Sequence, residues 1–174
     1  MIGTILRNLG RLLVLMLVQV LVLDHVDLAN GFVVPYVYVL FLLMLPFELP
    51  TAALLVLGGG TGALMDLLSN TPGMHTSACL VLAFGRPFVQ RILAPRDGYE
   101  FGSSPSVQQL GLAWWVTYGG ILLLLHHLWL FYFELFRFDR FFSTLLRALS
   151  STVFTLLLCI LVQYLFAARQ RRRI

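Results

Sequence analysis

Long apolar stretches, separated by short polar or proline-containing breaks, are the feature that most limits how this chain can fold. Hydrophobic residues make up 59% of its 174 residues and charged residues only 11%, whereas about a quarter of an average soluble domain is charged. A helix needs roughly 20 residues to cross the hydrocarbon core of a bilayer. The pattern therefore predicts an all-α integral membrane protein, with one domain over residues 1–174 and about six transmembrane helices in one bundle.

The breaks set the boundaries of the predicted helices. Residues 46–50 contain two prolines four positions apart, residues 69–73 are rich in turn formers, and the polar stretch 94–109 is typical of a loop. Arg86-Pro87 leaves two alternatives for the fourth helix, which either kinks or ends there. The predicted helices cover residues 3–23, 32–45, 51–68, 74–93, 110–130 and 145–166.

The arginines indicate which side of the membrane each end of the chain occupies, because cytoplasmic segments carry an excess of basic residues. With both termini and the 94–109 loop inside, eight arginines lie in the cytoplasm and three outside, namely Arg137, Arg140 and Arg147. The chain is therefore predicted to be N-in and C-in. The inside set is Arg7, Arg11, Arg91, Arg96, Arg169, Arg171, Arg172 and Arg173.

Most of these arginines are predicted to act as membrane anchors. Those near the N-terminus, Arg7 and Arg11, complete a short first helix by reaching for the lipid headgroups, and the C-terminal tail 169–173 contacts anionic lipid. This role accounts for the net charge of +4 without a nucleic-acid partner.

The third predicted helix carries the most informative small-residue pattern. Gly58, Gly62 and Asp66 fall four residues apart on one helical face. In lipid, small residues let two helix backbones approach closely, so that dispersion and polar contacts hold them together. Two interpretations follow: the face packs against another helix of the same chain, or it is a partner-binding groove for another protein's transmembrane helix.

Three residues are candidates for polar groups inside the membrane: Asp66, His75 and Arg86. Such residues usually face the interior of a bundle or a polar cavity. The Asp66 carboxylate either bonds the turn at residues 69–75 or forms a functional polar site, with His75 as the nearest partner. Arg86 either reaches the cytoplasmic surface, pairs with Glu48, or binds a substrate.

No pattern typical of catalysis or metal binding is present in the sequence. There is no HExxH, GxSxG or Walker motif, so no catalytic residue and no cofactor is predicted. Adjacent helical residues point about 100° apart, so His126 and His127 cannot chelate one metal ion from one helix. They are predicted to lie at the outer interface beside Trp129. Cys79 and Cys159 lie in apolar stretches and are interpreted as small buried hydrophobic residues.

Several of these elements, in this order, resemble the rod shape-determining protein MreD family over essentially the whole chain. The strongest is the glycine-rich third helix that ends in Asp-Leu-Leu and a Pro-Gly turn, within residues 58–73. The others are residues 46–50, Met74-His75, residues 86–89, residues 94–100 and His126-His127. The triple glycine at residues 58–60 and the absence of lysine depart from the family pattern.

The resemblance implies a multipass protein of the bacterial cytoplasmic (inner) membrane that belongs to the cell-elongation machinery. It implies a non-enzymatic scaffold that links cytoskeletal filaments to peptidoglycan synthesis and maintains rod shape. The implied partners are MreC, MreB, RodA and a class B penicillin-binding transpeptidase, together with membrane lipids. The implied fold is similar to the substrate-binding subunits of energy-coupling-factor transporters. The alternative function is a binding or transport subunit for a small molecule, and an intramembrane enzyme that uses Asp66 and His75 is a third.

Overall fold

The structure, a computed structural model, describes residues 2–135 and 141–171. Within these residues every regular element is a helix, and one isolated bridge joins Leu28 to Val33. The α-helices are α1 (Ile2–Leu21), α2 (Leu40–Leu43), α3 (Thr51–Ser69), α4 (Met74–Ile92), α5 (Val107–Leu110), α6 (Leu112–Leu135) and α7 (Phe141–Arg171). Two short 3-10 helices lie at Leu23–His25 and Val37–Val39.

Four of the described helices are long and apolar enough to cross a membrane. Their apolar windows are Asn8–His25, Thr51–Ser69, Leu112–Glu134 and Phe141–Phe166. The prediction of a helical membrane protein is confirmed at this level. The fifth long helix, α4, equals α3 in length but carries Arg86, Gln90 and Arg91, whose polarity keeps its hydropathy below that of the four.

The long helices pack in chain order, α3 on α4, α4 on α6 and α6 on α7. At one end of the bundle the Ser69 hydroxyl donates to Asp24, 3.1 Å away, which joins the chain after α1 to the last residue of α3. At the other end the Gly102 amide donates to Glu48 Oε1 over 2.6 Å. We call this second end, which contains residues 46–50 and 94–106, the loop end.

The predicted helix at residues 32–45 is wrong as a continuous span. Residues 34–46, here called the buried segment, begin with an extended stretch and contain only the helical turns Val37–Val39 and Leu40–Leu43. Every residue from 35 to 43 is buried. At about 1.5 Å per residue, seven helical residues span only about 10 Å, so the extended stretch before them covers part of the distance to the loop end.

Side chains from α1 and α7 make this extended backbone possible. Non-helical backbone at membrane depth is tolerated only where protein groups satisfy its polar atoms. The amides of Val34 and Tyr36 donate to Ser151 Oγ (3.0 Å) and Thr155 Oγ1 (3.2 Å). Gln19 accepts from the Val37 amide over 2.8 Å and donates to the Pro35 carbonyl over 3.0 Å. Pro35 disfavours helical geometry in Val34, the residue before it, which explains why the helical part of the apolar run begins only after Pro35.

The remaining boundaries agree with the predicted ones to within a few residues, except at α7. Helix α4 continues through Pro87 to Ile92, so the alternative in which it ends at Arg86-Pro87 is wrong. Helix α7 is longer than predicted, with 31 residues. Several arginines of the topology prediction lie outside the described residues. They are the predicted anchors Arg172 and Arg173, the predicted outside residues Arg137 and Arg140, and the side chains of Arg7, Arg169 and Arg171.

Candidate functional site

The Gly58 and Gly62 face of α3 packs against α4 of the same chain. A Cβ atom added to Gly62 would lie 2.5 Å from the His75 carbonyl oxygen and 2.5 Å from Thr76 Cα. At Gly58 it would lie 2.9 Å from Ala83 Cβ. Real Cβ atoms do not approach other atoms this closely, so glycine is required at both positions. The groove is already filled by α4, and the hypothesis that these residues bind a partner helix is therefore wrong.

Asp66 closes the turn between α3 and α4. Its Oδ1 accepts from Thr71 Oγ1 (3.0 Å) and the His75 amide (2.9 Å). Its Oδ2 accepts from the amides of Gly73 (3.1 Å) and Thr76 (2.9 Å), and from Thr76 Oγ1 (2.6 Å). A carboxylate at the N-terminus of a helix satisfies the free amides of its first turn and interacts favourably with the helix dipole. Of the two alternatives, the structure selects the turn-bonding role.

The His75 ring points away from Asp66 and into a buried polar cluster. The Tyr38 hydroxyl, which the buried segment supplies, lies 2.9 Å from His75 Nδ1, 3.2 Å from His126 Nε2 and 3.7 Å from Cys79 Sγ. These four residues, here called the Tyr38 cluster, are at most 3% exposed. The cluster therefore ties the buried segment to α4 and α6.

The Tyr38 hydroxyl has one proton, so at most one of the two histidines accepts it and at least one ring donates to the Tyr38 oxygen. In every arrangement His126 Nδ1 has no partner in the described part of the chain. An unpaired ring nitrogen that is a bare acceptor costs less than an unpaired N–H, because buried N–H groups are rarely left orphaned. The favoured arrangement therefore has His126 Nε2 donating to the Tyr38 oxygen.

The side chains of His126 and His127, predicted to lie at the outer interface, are completely buried in the protein and so do not face lipid headgroups. His127 Nδ1 lies 2.7 Å from the Leu123 carbonyl oxygen and Nε2 lies 3.3 Å from Thr155 Oγ1. The two rings serve different partners, as their 100° separation on the helix predicts. In the described residues no group of three His, Cys, Asp or Glu side chains is placed to hold a metal ion.

Arg86 is 1% exposed, so the prediction that it reaches the cytoplasmic surface is wrong. Its Nε donates to the Tyr118 hydroxyl over 2.9 Å, and its Nη2 donates to the carbonyls of Leu45 and Pro46. Tyr118 in turn donates to the Leu43 carbonyl over 2.9 Å. These carbonyls lie at the C-terminal end of the short helix α2 and just after it, where a positive charge is favourable.

The charge of Arg86 has no carboxylate partner among the described residues. Glu48, the acid predicted to pair with it, bonds the Gly102 amide instead. A swap of the Gln90 amide atoms would let its oxygen accept from Arg86 Nη2 and Nε at 3.2 and 3.3 Å. Arg86 Nη1 is buried without a hydrogen bond. The guanidinium is therefore held by neutral oxygens alone.

An aromatic stack covers the loop end. The rings of Phe47 and Tyr99 are stacked with centroids 4.0 Å apart, and Trp114 contacts both edge-on. The Tyr99 hydroxyl donates to the Gln90 carbonyl over 2.7 Å. Loss of water around the phenol raises the pKa of Tyr99 above its ordinary value, and its proximity to Tyr118 adds to this effect.

Several residues that hold the site together were missed in the sequence analysis. Gln19, Tyr118, Ser151 and Thr155 are hydrogen-bonding residues in apolar stretches that bind the buried segment, and Tyr38 binds His75 from within the segment. Their common signal is a hydrogen-bonding side chain inside a predicted span. Such residues usually face the interior of a helical bundle.

Comparison with protein-family models, curated protein sequences and solved structures finds no match to this chain.

Proposed function

We propose that this protein is a non-enzymatic scaffold of the bacterial inner membrane that connects cytoskeletal filaments with side-wall peptidoglycan synthesis. The proposed partners are MreC, MreB, RodA and a class B penicillin-binding transpeptidase. The proposal rests on the resemblance of residues 58–73 and the other motifs to the MreD family. The proposed topology is six crossings with both termini in the cytoplasm, in which the buried segment and its flanks make the second crossing.

The hydrogen bonds of Asp66, His75 and Arg86 are the observation that supports the proposal. Asp66 accepts hydrogen bonds from the turn that follows α3, the His75 ring bonds Tyr38, and Arg86 bonds the end of the buried segment. A solute site needs polar groups that converge on the solute. Here the polar groups converge on the chain itself, which is what a rigid scaffold requires.

The large apolar surface on the outside of the bundle also supports the proposal. Leu67 on α3 is 82% exposed and Leu157 on α7 is 60% exposed. In a membrane this surface meets lipid or the helices of other proteins. The Gly58 and Gly62 groove is excluded as the docking site, so a partner helix would bind one of these outer faces.

Two experiments test the scaffold. The chain is expressed in a rod-shaped bacterium that lacks its own MreD, where restoration of rod shape is expected. It is also purified in mild detergent with co-expressed MreC, where the two proteins are expected to co-elute. Round cells together with separate elution of a folded chain would contradict the proposal.

Matched variants then locate the docking face. Leu67→Trp and Leu157→Trp enlarge exposed positions on two different helices without adding charge. A bulky ring in the docking face is expected to lower MreC recovery, whereas the other variant recovers MreC as the unmodified chain does. Loss of recovery is interpreted only for variants that keep the elution profile and helical circular dichroism of the unmodified chain.

The alternative is a binding subunit for an anionic solute, and Arg86 is the observation that favours it. Its guanidinium is buried, has no carboxylate partner in the described ranges 2–135 and 141–171, and leaves Nη1 unbonded. Native mass spectrometry of the purified chain distinguishes the two functions. A stoichiometric small anion that is lost in Arg86→Gln would favour the solute-binding subunit over the scaffold.

A further inference from the structure

Phe101 is the most exposed large apolar side chain among the described residues, at 95%, and it lies in the loop after α4 rather than on a helix. The other aromatic side chains of this region, Phe47, Tyr99 and Trp114, pack against one another. Phe101 therefore differs from its neighbours in facing away from the stack. Single exposed apolar residues are common, but the loop holds this one in a defined position.

A tight turn presents the Phe101 ring. The Ser103 amide donates to the Glu100 carbonyl over 3.1 Å, and Gly102 has a φ of +79°. A residue with positive φ at the third position is typical of a type II turn, which favours glycine there. Phe101 occupies the second position of the turn, between two residues whose conformation the turn fixes.

The turn is also tied to the bundle. Before it, Tyr99 stacks on Phe47 and bonds the end of α4. Within it, the Gly102 amide donates to Glu48 Oε1 and the Ser103 carbonyl accepts from the Phe47 amide. A side chain that is held in place before binding loses little conformational entropy when a partner covers it.

Charge indicates the chemistry of the partner. Glu100 is the first residue of the turn, Glu48 accepts from the Gly102 amide, and both are exposed. Together with exposed Asp97 they outnumber Arg96, the one basic residue of the loop end, which is also exposed. Anionic lipid attracts basic segments, so carboxylates beside the ring disfavour insertion into an anionic leaflet. They favour a protein surface with basic side chains around an apolar pocket, which complements both the ring and the acids.

We infer that Phe101 is an anchor for a second protein at the loop end, which receives the ring in an apolar pocket with a rim of lysine or arginine. This inference does not depend on the proposed function. Buried aromatic anchors of this kind dominate the affinity of many interfaces. Loss of the ring is therefore expected to weaken binding by about 30-fold or more.

The test begins with photocrosslinking of the full chain in intact cells. Phe101 is replaced with p-benzoylphenylalanine, and Ile92, which is 80% exposed at the end of α4, receives the same group as a control for lipid contact. A protein adduct at position 101 that is absent at position 92 is expected. Only lipid adducts at position 101, or no adduct, would overturn the inference.

The crosslinked protein is identified by mass spectrometry, purified, and titrated against the full chain in nanodiscs. Phe101→Ala is expected to weaken binding by about 30-fold. Glu100→Lys is also expected to weaken binding, and its effect should be larger at low salt than at high salt. Phe142→Ala removes an 82% exposed ring at the other end of the bundle and is expected to leave the affinity unchanged. Equal affinity of Phe101→Ala and the unmodified chain would refute the anchor.

Discussion

Gly62→Ala is the substitution that tests the helix packing most directly. The added Cβ would lie 2.5 Å from the His75 carbonyl oxygen and from Thr76 Cα, which are backbone atoms of α4. Ordinary contact begins at 3.4 Å, so α4 must move by about 0.9 Å relative to α3. No side-chain rotation can relieve the contact. The first turn of α4 is also the turn that Asp66 holds, so the movement strains those hydrogen bonds as well.

The expected cost follows from overpacking. Extra atoms in a well-packed interface typically cost about 1–3 kcal/mol, and the strained Asp66 contacts place Gly62→Ala towards the upper value. The matched control is Gly60→Ala, on the same helix, where an added Cβ meets no atom within 4 Å. Both substitutions exchange glycine for alanine inside a helix, so the gain in helix propensity cancels when the two variants are compared. Gly58→Ala, with contacts at 2.9 and 3.0 Å, is expected to lie between them.

The free energy of unfolding of the three variants is measured by titration of the detergent-purified protein with a denaturing detergent, followed by circular dichroism or tryptophan fluorescence. The expected order of stability is Gly60→Ala, then Gly58→Ala, then Gly62→Ala. If Gly62→Ala is as stable as Gly60→Ala, the close approach of α3 to α4 is refuted. The glycine face would then be free to receive a partner helix.

Three further predictions use the same titration. Asp66→Asn places an amide group opposite donors and is expected to cost at least about 2 kcal/mol, because at least one donor loses its acceptor; unchanged stability would contradict the capping role. Gln19→Leu leaves the Val37 amide without its acceptor in the bundle interior and is expected to cost about 2–5 kcal/mol. The control Thr117→Ala, at an exposed position, should change the free energy of unfolding by less than about 0.5 kcal/mol. Arg86→Lys is expected to cost about 1–3 kcal/mol, since an ammonium cannot reproduce the planar donor geometry of the guanidinium; equal stability would show that charge alone is sufficient.

The sequence by itself determined that this protein folds in a lipid bilayer and where its long helices lie. Hydropathy and helix-breaking residues are local properties, and a transmembrane helix satisfies its own backbone hydrogen bonds. The boundaries of a helix such as α3 therefore lie close to those predicted from its own sequence, independently of its neighbours. The predicted boundaries of α1, α4 and α6 are also close to the observed ones.

The buried segment could not be predicted in this way. Its apolar run of 14 residues, 32–45, has the composition of a short span, although 10–14 apolar residues are more often a buried or re-entrant element than a crossing helix. The acceptors for its extended backbone are Gln19 on α1 and Ser151 and Thr155 on α7. These residues lie more than 15 positions away in the sequence, and only the folded chain brings them to the segment.

The polar residues divide in the same way. Asp66, His75 and Arg86 are unusual in the sequence because a polar group in an apolar stretch needs a partner. The identity of that partner depends on which helices are neighbours. Tertiary structure decided that Asp66 binds the turn, that His75 binds Tyr38 and that Arg86 binds the end of the buried segment. An apolar surrounding sequence determines that such groups need hydrogen-bond partners. The packing of distant segments determines which residues those partners are.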